Sequence, residues 1–157
     1  MAAEFDVPDP PPLTRRYNVA PSQIIAVVGL KPDGVRKGIA LLRWGLVPSW
    51  ANSPDEGPRP INARAETVAY KFREQFREKR CLIPADGFYE WRVMGGKNRP
   101  CHFALNTGRP FGFAGLWDLW RAEGAKPLLT CCRLPPRPTS WCARCITGCG
   151  SCGPRGG

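Results

Sequence analysis

The sequence predicts an α+β domain, a curled antiparallel sheet or open barrel with few helices. Short runs of β-branched and aromatic residues alternate with Gly, Asn and Pro punctuation along most of the first 130 residues. Only one segment, 65–79, shows helical periodicity. The chain has 157 residues, 43% of them hydrophobic, so it can bury a core without a disulfide or metal. It holds no apolar run of the ~20 residues that a membrane helix needs.

The elements follow in order. Residues 24–30 are an apolar, β-branched strand ended by the turn Lys31-Pro32-Asp33-Gly34, and 38–44 is its antiparallel partner, stopped by Gly45 and Pro48. The helix over 65–79 repeats Val68, Phe72 and Phe76 at four-residue spacing, with Glu66 near its start and Lys79 and Arg80 near its end, as the helix dipole favours. Further strands are expected at 81–85, 88–93, 101–105, 111–117 and 127–131. The punctuation at Gly95-Gly96-Lys97-Asn98 and Asn106-Thr107-Gly108 predicts hairpins. No internal repeat and no signal peptide is visible.

Charge and cysteine usage divide the chain unevenly. Lys and Arg number 23 against 13 Asp and Glu, a net +10. Such a surplus points to a polyanion, nucleic acid before an acidic membrane surface. All the acidic residues lie within the first 130, which carry a net +6; the last 27 add +4 and six of the eight cysteines. With His102 the single histidine, a two-His zinc site is excluded. The expected organisation is a domain over 1–131 and a Cys/Gly/Pro/Arg-rich tail over 132–157.

Four segments hold polar residues that periodicity does not explain: Arg16-Tyr17-Asn18-Val19-Ala20-Pro21, Arg43-Trp44-Gly45-Leu46-Val47-Pro48-Ser49-Trp50, Ile61-Asn62-Ala63-Arg64-Ala65-Glu66-Thr67 and Cys81-Leu82-Ile83-Pro84-Ala85-Asp86-Gly87-Phe88-Tyr89-Glu90-Trp91. Each mixes Arg, Asn or an acid with aromatics or Pro, the surface on which unpaired bases stack while Arg binds phosphate. Each also has a plain structural reading. The aromatics can pack in the core, Asn62 can cap the helix, Arg64 can pair with Glu66 or Asp86, and Glu90 can be a surface strand residue.

In this order the four segments resemble the SRAP family (SOS response-associated peptidase), abasic-site processing proteins that crosslink to DNA. Phe111-Gly112-Phe113-Ala114-Gly115-Leu116-Trp117 looks like the family's next strand. The resemblance implies binding to single-stranded or junction DNA at an abasic site, with no cofactor, by a cytoplasmic, nucleoid-associated monomer. In the family a cysteine made N-terminal by Met removal traps the sugar aldehyde with its amine and thiol, giving a thiazolidine. A terminal amine with a pKa of about 8 is partly the free nucleophile at neutral pH. By motif position the resemblance implies Glu90 as acid/base and Asn62 as the orienting amide. It implies Arg64 as a phosphate ligand, and Lys71, Asn18, Pro21, Trp50 and Trp91 as DNA-groove residues.

The departures are as definite. The family opens Met-Cys-Gly-Arg; this sequence opens Met1-Ala2-Ala3-Glu4-Phe5 and has no cysteine before Cys81, so the domain is expected to lack its N-terminal segment. The family's His-x-Arg-Met-Pro is absent after residue 131, and His102 reads as a packing residue on a strand. The tail reads as a shifted frame from about residue 132. Starting at third codon bases, Trp141 into Cys142 gives Val, Cys145 into Ile146 gives His or Tyr, Thr147 into Gly148 gives Arg, Trp or Gly, and Gly148 into Cys149 can give Met. Taken at face value, Cys142-x2-Cys145-x3-Cys149-x2-Cys152 could bind zinc or an iron–sulfur cluster, though its central gap is far shorter than the ~15–20 residues of zinc ribbons. The expected function is therefore an abasic-site crosslinking enzyme, or a DNA-binding chain without the catalytic Cys and His.

Overall fold

A computed structural model describes residues 2–31, 34, 35, 37–135, 146 and 147. The chain divides into two units, one of Met1–Pro84 and Gly112–Pro135, the other of Ala85–Phe111 and Pro136–Gly157.

The first unit is built on a five-stranded barrel. Strands β1 (Ile24–Leu30) and β2 (Lys37–Trp44) pair antiparallel from Ile24↔Arg43 to Leu30↔Lys37. At their turn the Gly34 amide, at φ 70°, donates to the Lys31 carbonyl at 2.8 Å. With β3 (Arg80–Ala85), β6 (Phe111–Trp120) and β7 (Leu128–Arg133), the strand order is β1-β2-β7-β6-β3, closed on itself. The expected curled sheet thus closes fully, and β1 meets β3 through the pair Val28↔Leu82. The pairing is also not antiparallel throughout: β2 and β7 run parallel at Arg43↔Thr130 and Trp44↔Cys131. A partner so distant in sequence is chosen by burial rather than by any turn. Gly45, at φ 130°, extends this contact by donating to the Cys131 carbonyl at 2.8 Å.

The core is a cluster of Leu46, Ala63, Val68, Leu116 and Cys132, with Phe72 and Leu134 against it. Polar groups inside are satisfied. Thr130 Oγ1 accepts from the Val47 amide at 2.9 Å, and the Trp44 and Trp120 indoles donate to the carbonyls of Ile61 and Ala51. Close packing excludes a side chain at Gly115, where a Cβ would meet the Cys132 carbonyl and Cys81 Sγ at 3.0 Å. Cys132 and Arg133, assigned to the tail by composition, are the last residues of β7, and Cys132 is fully buried.

The single helix expected over 65–79 is two short ones, α1 (Val68–Lys71) and α2 (Arg73–Glu78), divided at Phe72 with φ −129° and ψ 44°. Helices this short rely on tertiary anchors. The bend lets both ends reach theirs: Val68 and Phe72 pack on the barrel cluster, while Gln75 and Lys79 hydrogen-bond to Asp118.

The second unit is a hairpin of β4 (Gly87–Met94) and β5 (Lys97–Leu105), with β8 (Ile146–Thr147) on β5. Its two-residue turn is Gly95-Gly96, both at positive φ (58° and 74°), which a side chain would disfavour. Phe88 and Phe103 stack 5.3 Å apart, with Phe111 edge-on to Phe88. His102 is not packed inside, as expected from its strand position, but exposed beside Tyr89, the ring centroids 5.1 Å apart. It faces Tyr89 on the open side of the hairpin, and its ring fills the space beside Gly87, where any Cβ would collide. Cys142, Cys145, Cys149 and Cys152, the possible metal ligands, lie outside the described residues. No helix among the described residues is long and apolar enough to cross a membrane.

Candidate nucleic-acid interface

In the first unit, Ile61, Asn62 and Ala63 add to β7 as a parallel bridge. The Arg133 amide donates to the Ile61 carbonyl at 3.0 Å and the Ala63 amide to the Arg133 carbonyl at 2.8 Å. Ala63 points into the core at 2% exposure, so the alternation of an extended backbone turns Asn62 and Arg64 outward. Asn62 does not cap the helix. The cap position belongs to Thr67, which makes no side-chain cap bond, and Asn62 Oδ1 instead accepts from Arg133 Nε at 2.6 Å. With the oxygen occupied, the amide presents its two N–H donors to a ligand. Arg64 is exposed and makes no ion pair among the described residues; its carbonyl anchors the amides of Thr67 and Val68.

Arg133 was not anticipated, because composition placed it in the tail. Its guanidinium lies 5.2 Å from the Phe113 ring centroid, which fixes the side chain that holds Asn62.

The remaining candidates of this unit are exposed. Asn18 and Pro21 lie before β1 on a loop pinned by Arg16, which donates to Gln23 Oε1 and the Ile24 carbonyl. Lys71 ends α1, and Trp50 is 75% exposed, so it is not a core residue. Arg43 and Arg59 share the Asp55 carboxylate at 3.5 and 3.3 Å, surface pairs that leave a net positive charge. An apolar groove of about 400 Å³, lined by Val28, Leu30, Phe76, Leu82, Leu116 and Leu134, contains none of the candidates. A polyanion needs an open charged surface rather than such a groove.

In the second unit, Glu90 and Trp91 are both exposed, Trp91 at 69%, but they stand on opposite faces of β4. Trp91 shares its face with Tyr89 and His102; Glu90 shares the other with Phe88 and Cys101. One groove therefore does not take both Glu90 and Trp91 from the same side.

The four described cysteines, Cys81, Cys101, Cys131 and Cys132, are all buried. Burial, aided by one another's charge, pushes the Cys81 thiol far up; burial and its neighbour Cys132 push Cys131 up to about 12. Burial also carries Cys132 to about 12, against a backbone hydrogen bond from Leu116 that lowers it. Cys81, Cys131 and Cys132 are therefore not nucleophiles near neutral pH. Among the described residues no group of His, Cys, Asp and Glu could hold a metal ion.

The model of the family described as SOS response associated peptidase (SRAP) matches residues 1–139. The chain belongs to the SRAP family. Within it, the chain is 43% identical over 129 residues to abasic site processing protein YoaM of Bacillus subtilis strain 168, covering 80% of this chain and 56% of that protein. It is likewise 43% identical over 126 residues to YoqW of the same organism, also an abasic site processing protein, covering 78% and 55%. A crystal structure of a Bacteroides thetaiotaomicron protein superposes with a TM-score of 0.63 at 27% identity, over 71% of this chain and 49% of that one. This SRAP chain thus spans about half the length of the relatives it matches.

Proposed function

We propose that this chain binds DNA at abasic sites, in single strands or at their junction with duplex. The observation that carries the reading is the Asn62-Ala63-Arg64 segment. Its backbone is locked onto β7, its middle residue is buried, and its two polar side chains face outward, Asn62 as a hydrogen-bond donor and Arg64 as an exposed cation with no ion pair among the described residues. Membership of a family whose relatives are named for abasic-site processing supplies the lesion.

In this reading Asn62 donates to an oxygen of the opened sugar and Arg64 holds a flanking phosphate. Lys71, Asn18 and Pro21 lie along the strand's path, and Trp50 offers a stacking surface. In the second unit Glu90 is an exposed carboxylate and the acid/base candidate of that unit. Trp91, on the other face with Tyr89 and His102, offers a separate stacking surface.

The test is a native gel of the chain with an abasic single-stranded oligonucleotide and with the same strand lacking the lesion. The reading expects a shift with the abasic strand at lower protein concentration than with the intact one. No shift, or equal shifts of the two strands, overturns it.

A further inference from the structure

The face of the β4–β5 hairpin that carries Glu90 also carries a cluster of cations without carboxylate partners among the described residues. Cross-strand register sets Glu90 opposite Cys101, Arg92 opposite Arg99, and Met94 opposite Lys97. Directly opposed residues of an antiparallel pair share one face, with Cβ atoms about 5 Å apart. Arg92 and Arg99 are therefore like charges across a strand pair, an arrangement that costs stability unless something anionic lies between them. Neither makes an ion pair among the described residues, although Glu90 stands on the same face. The Arg92 guanidinium lies 5.1 Å from the centroid of the Phe103 ring, a cation–π contact that draws it back along the face past Glu90, so it reaches a phosphate beside Arg99 by leaving the ring. Residues 92–99, the tip of the hairpin, contain Arg92, Lys97 and Arg99 and no acid.

Two permanently charged guanidinium side chains anchored at opposed positions of one exposed hairpin face, neither ion-paired among the described residues, are suited to the oxygens of a phosphodiester. We propose that Arg92 and Arg99 form a phosphate clamp for the DNA backbone, with Lys97 as an outer charge. Its backbone positions stand one same-face step, about 7 Å, from Glu90, so a phosphate held there brings a neighbouring sugar to the face that carries Glu90. This inference rests on the reading of the chain as an abasic-site DNA-binding protein.

The test is equilibrium binding of the full chain to an abasic single-stranded oligonucleotide over a salt series, read by fluorescence anisotropy. Arg92→Ala and Arg99→Ala each make the slope of log K against log salt shallower by about 0.7, the share of one phosphate contact on a single strand. The double variant binds about tenfold more weakly at low salt, as expected for losing charge-assisted hydrogen bonds. Arg121→Ala, which removes an exposed cation outside the hairpin, leaves the slope at the wild-type value. Arg99→Glu separates binding from folding. It converts the like-charge pair into an attractive one, so the thermal midpoint holds or rises while affinity falls; a purely structural Arg99 would lose both together. Wild-type salt-dependent binding with an unchanged slope in the double variant overturns the clamp and leaves the wider reading standing. Absence of salt-dependent binding by the wild type overturns both.

Discussion

Lys79 Nζ donates to Asp118 Oδ1 at 2.8 Å, and the carboxylate it meets is completely buried. Asp118 also accepts from Gln75 Nε2 at 2.9 Å and from the Leu119 and Ser49 amides at 2.9 and 3.3 Å, so one side chain ties β6 to α2 and to the loop after β2. Burial alone would raise the Asp118 pKa, but the hydrogen bonds from Lys79, Gln75 and Leu119 outweigh it and hold the group below the usual carboxylate range. For Lys79 burial would lower the pKa, yet hydrogen bonds to Asp118 and Glu74 raise it instead.

Removing Lys79 therefore costs more than removing an ordinary surface lysine. Lys79→Met leaves Asp118 buried without its counter-charge and destabilises the fold by about 3 kcal/mol, the low end for breaking a buried pair. Asp118→Ala removes a fully buried acceptor of four hydrogen bonds, so it costs at least as much as Lys79→Met, whose site is 20% exposed. Urea unfolding of the two variants gives the ordering.

The pH dependence has a definite sign. A carboxyl whose folded pKa is depressed stabilises the protein above its unfolded value of about 3.9, and that contribution disappears as pH falls through the folded pKa. A lysine whose folded pKa is raised contributes fully below 10.5 and loses its contribution as pH rises through the folded value. Thermal midpoints should drop below about pH 4, and this acid drop should shrink in Asp118→Ala.

Glycines 115 and 29 respond differently to a methyl group. Gly115→Ala places a Cβ about 3 Å from the Cys132 carbonyl, Cys81 Sγ and Ile83 Cδ1, and should cost roughly 1–3 kcal/mol by overpacking. Gly29→Ala meets nothing within 4 Å and should stay within about 0.5 kcal/mol of wild type. Denaturant midpoints measured side by side check the contrast.

Thiol labelling separates the buried cysteines from any reactive ones. At neutral pH, Cys81, Cys131 and Cys132 should resist an alkylating reagent in the native chain and react once it is unfolded, as peptide mass mapping would show.

Translation of the tail in another frame is checked in the coding DNA. The proposal that residues from about 132 are shifted expects a His-x-Arg-Met sequence in the third-base frame across Cys145 to Cys149; its absence contradicts the proposal.

Much of the fold was legible because its signals are local. The β1–β2 hairpin follows from apolar runs around a Gly34 turn, and the β4–β5 hairpin from Gly95-Gly96. The parallel contact of β2 with β7 was not legible, since its partners are far apart in sequence and no turn specifies them. The break at Phe72 escaped notice because it answers to Asp118, a residue of another strand. Asn62 and Arg64 stood out as polar residues that periodicity does not explain, whereas Arg133 was hidden by the composition change that begins beside it. Arg92 and Arg99 carry meaning only through cross-strand register, which no reading of single residues supplies.

The central claim, that an exposed Asn62–Arg64 segment on a closed barrel binds abasic DNA, meets its most direct test in the affinity of Asn62→Ala and wild type for one abasic single-stranded oligonucleotide. Both residues of the Asn62–Arg133 contact lie at the surface, so the substitution should change stability by no more than about 0.5 kcal/mol. The account predicts affinity at least several-fold weaker for the abasic strand, an unchanged thermal midpoint, and little change for the same strand without the lesion. Equal affinity of variant and wild type for the abasic strand would contradict it.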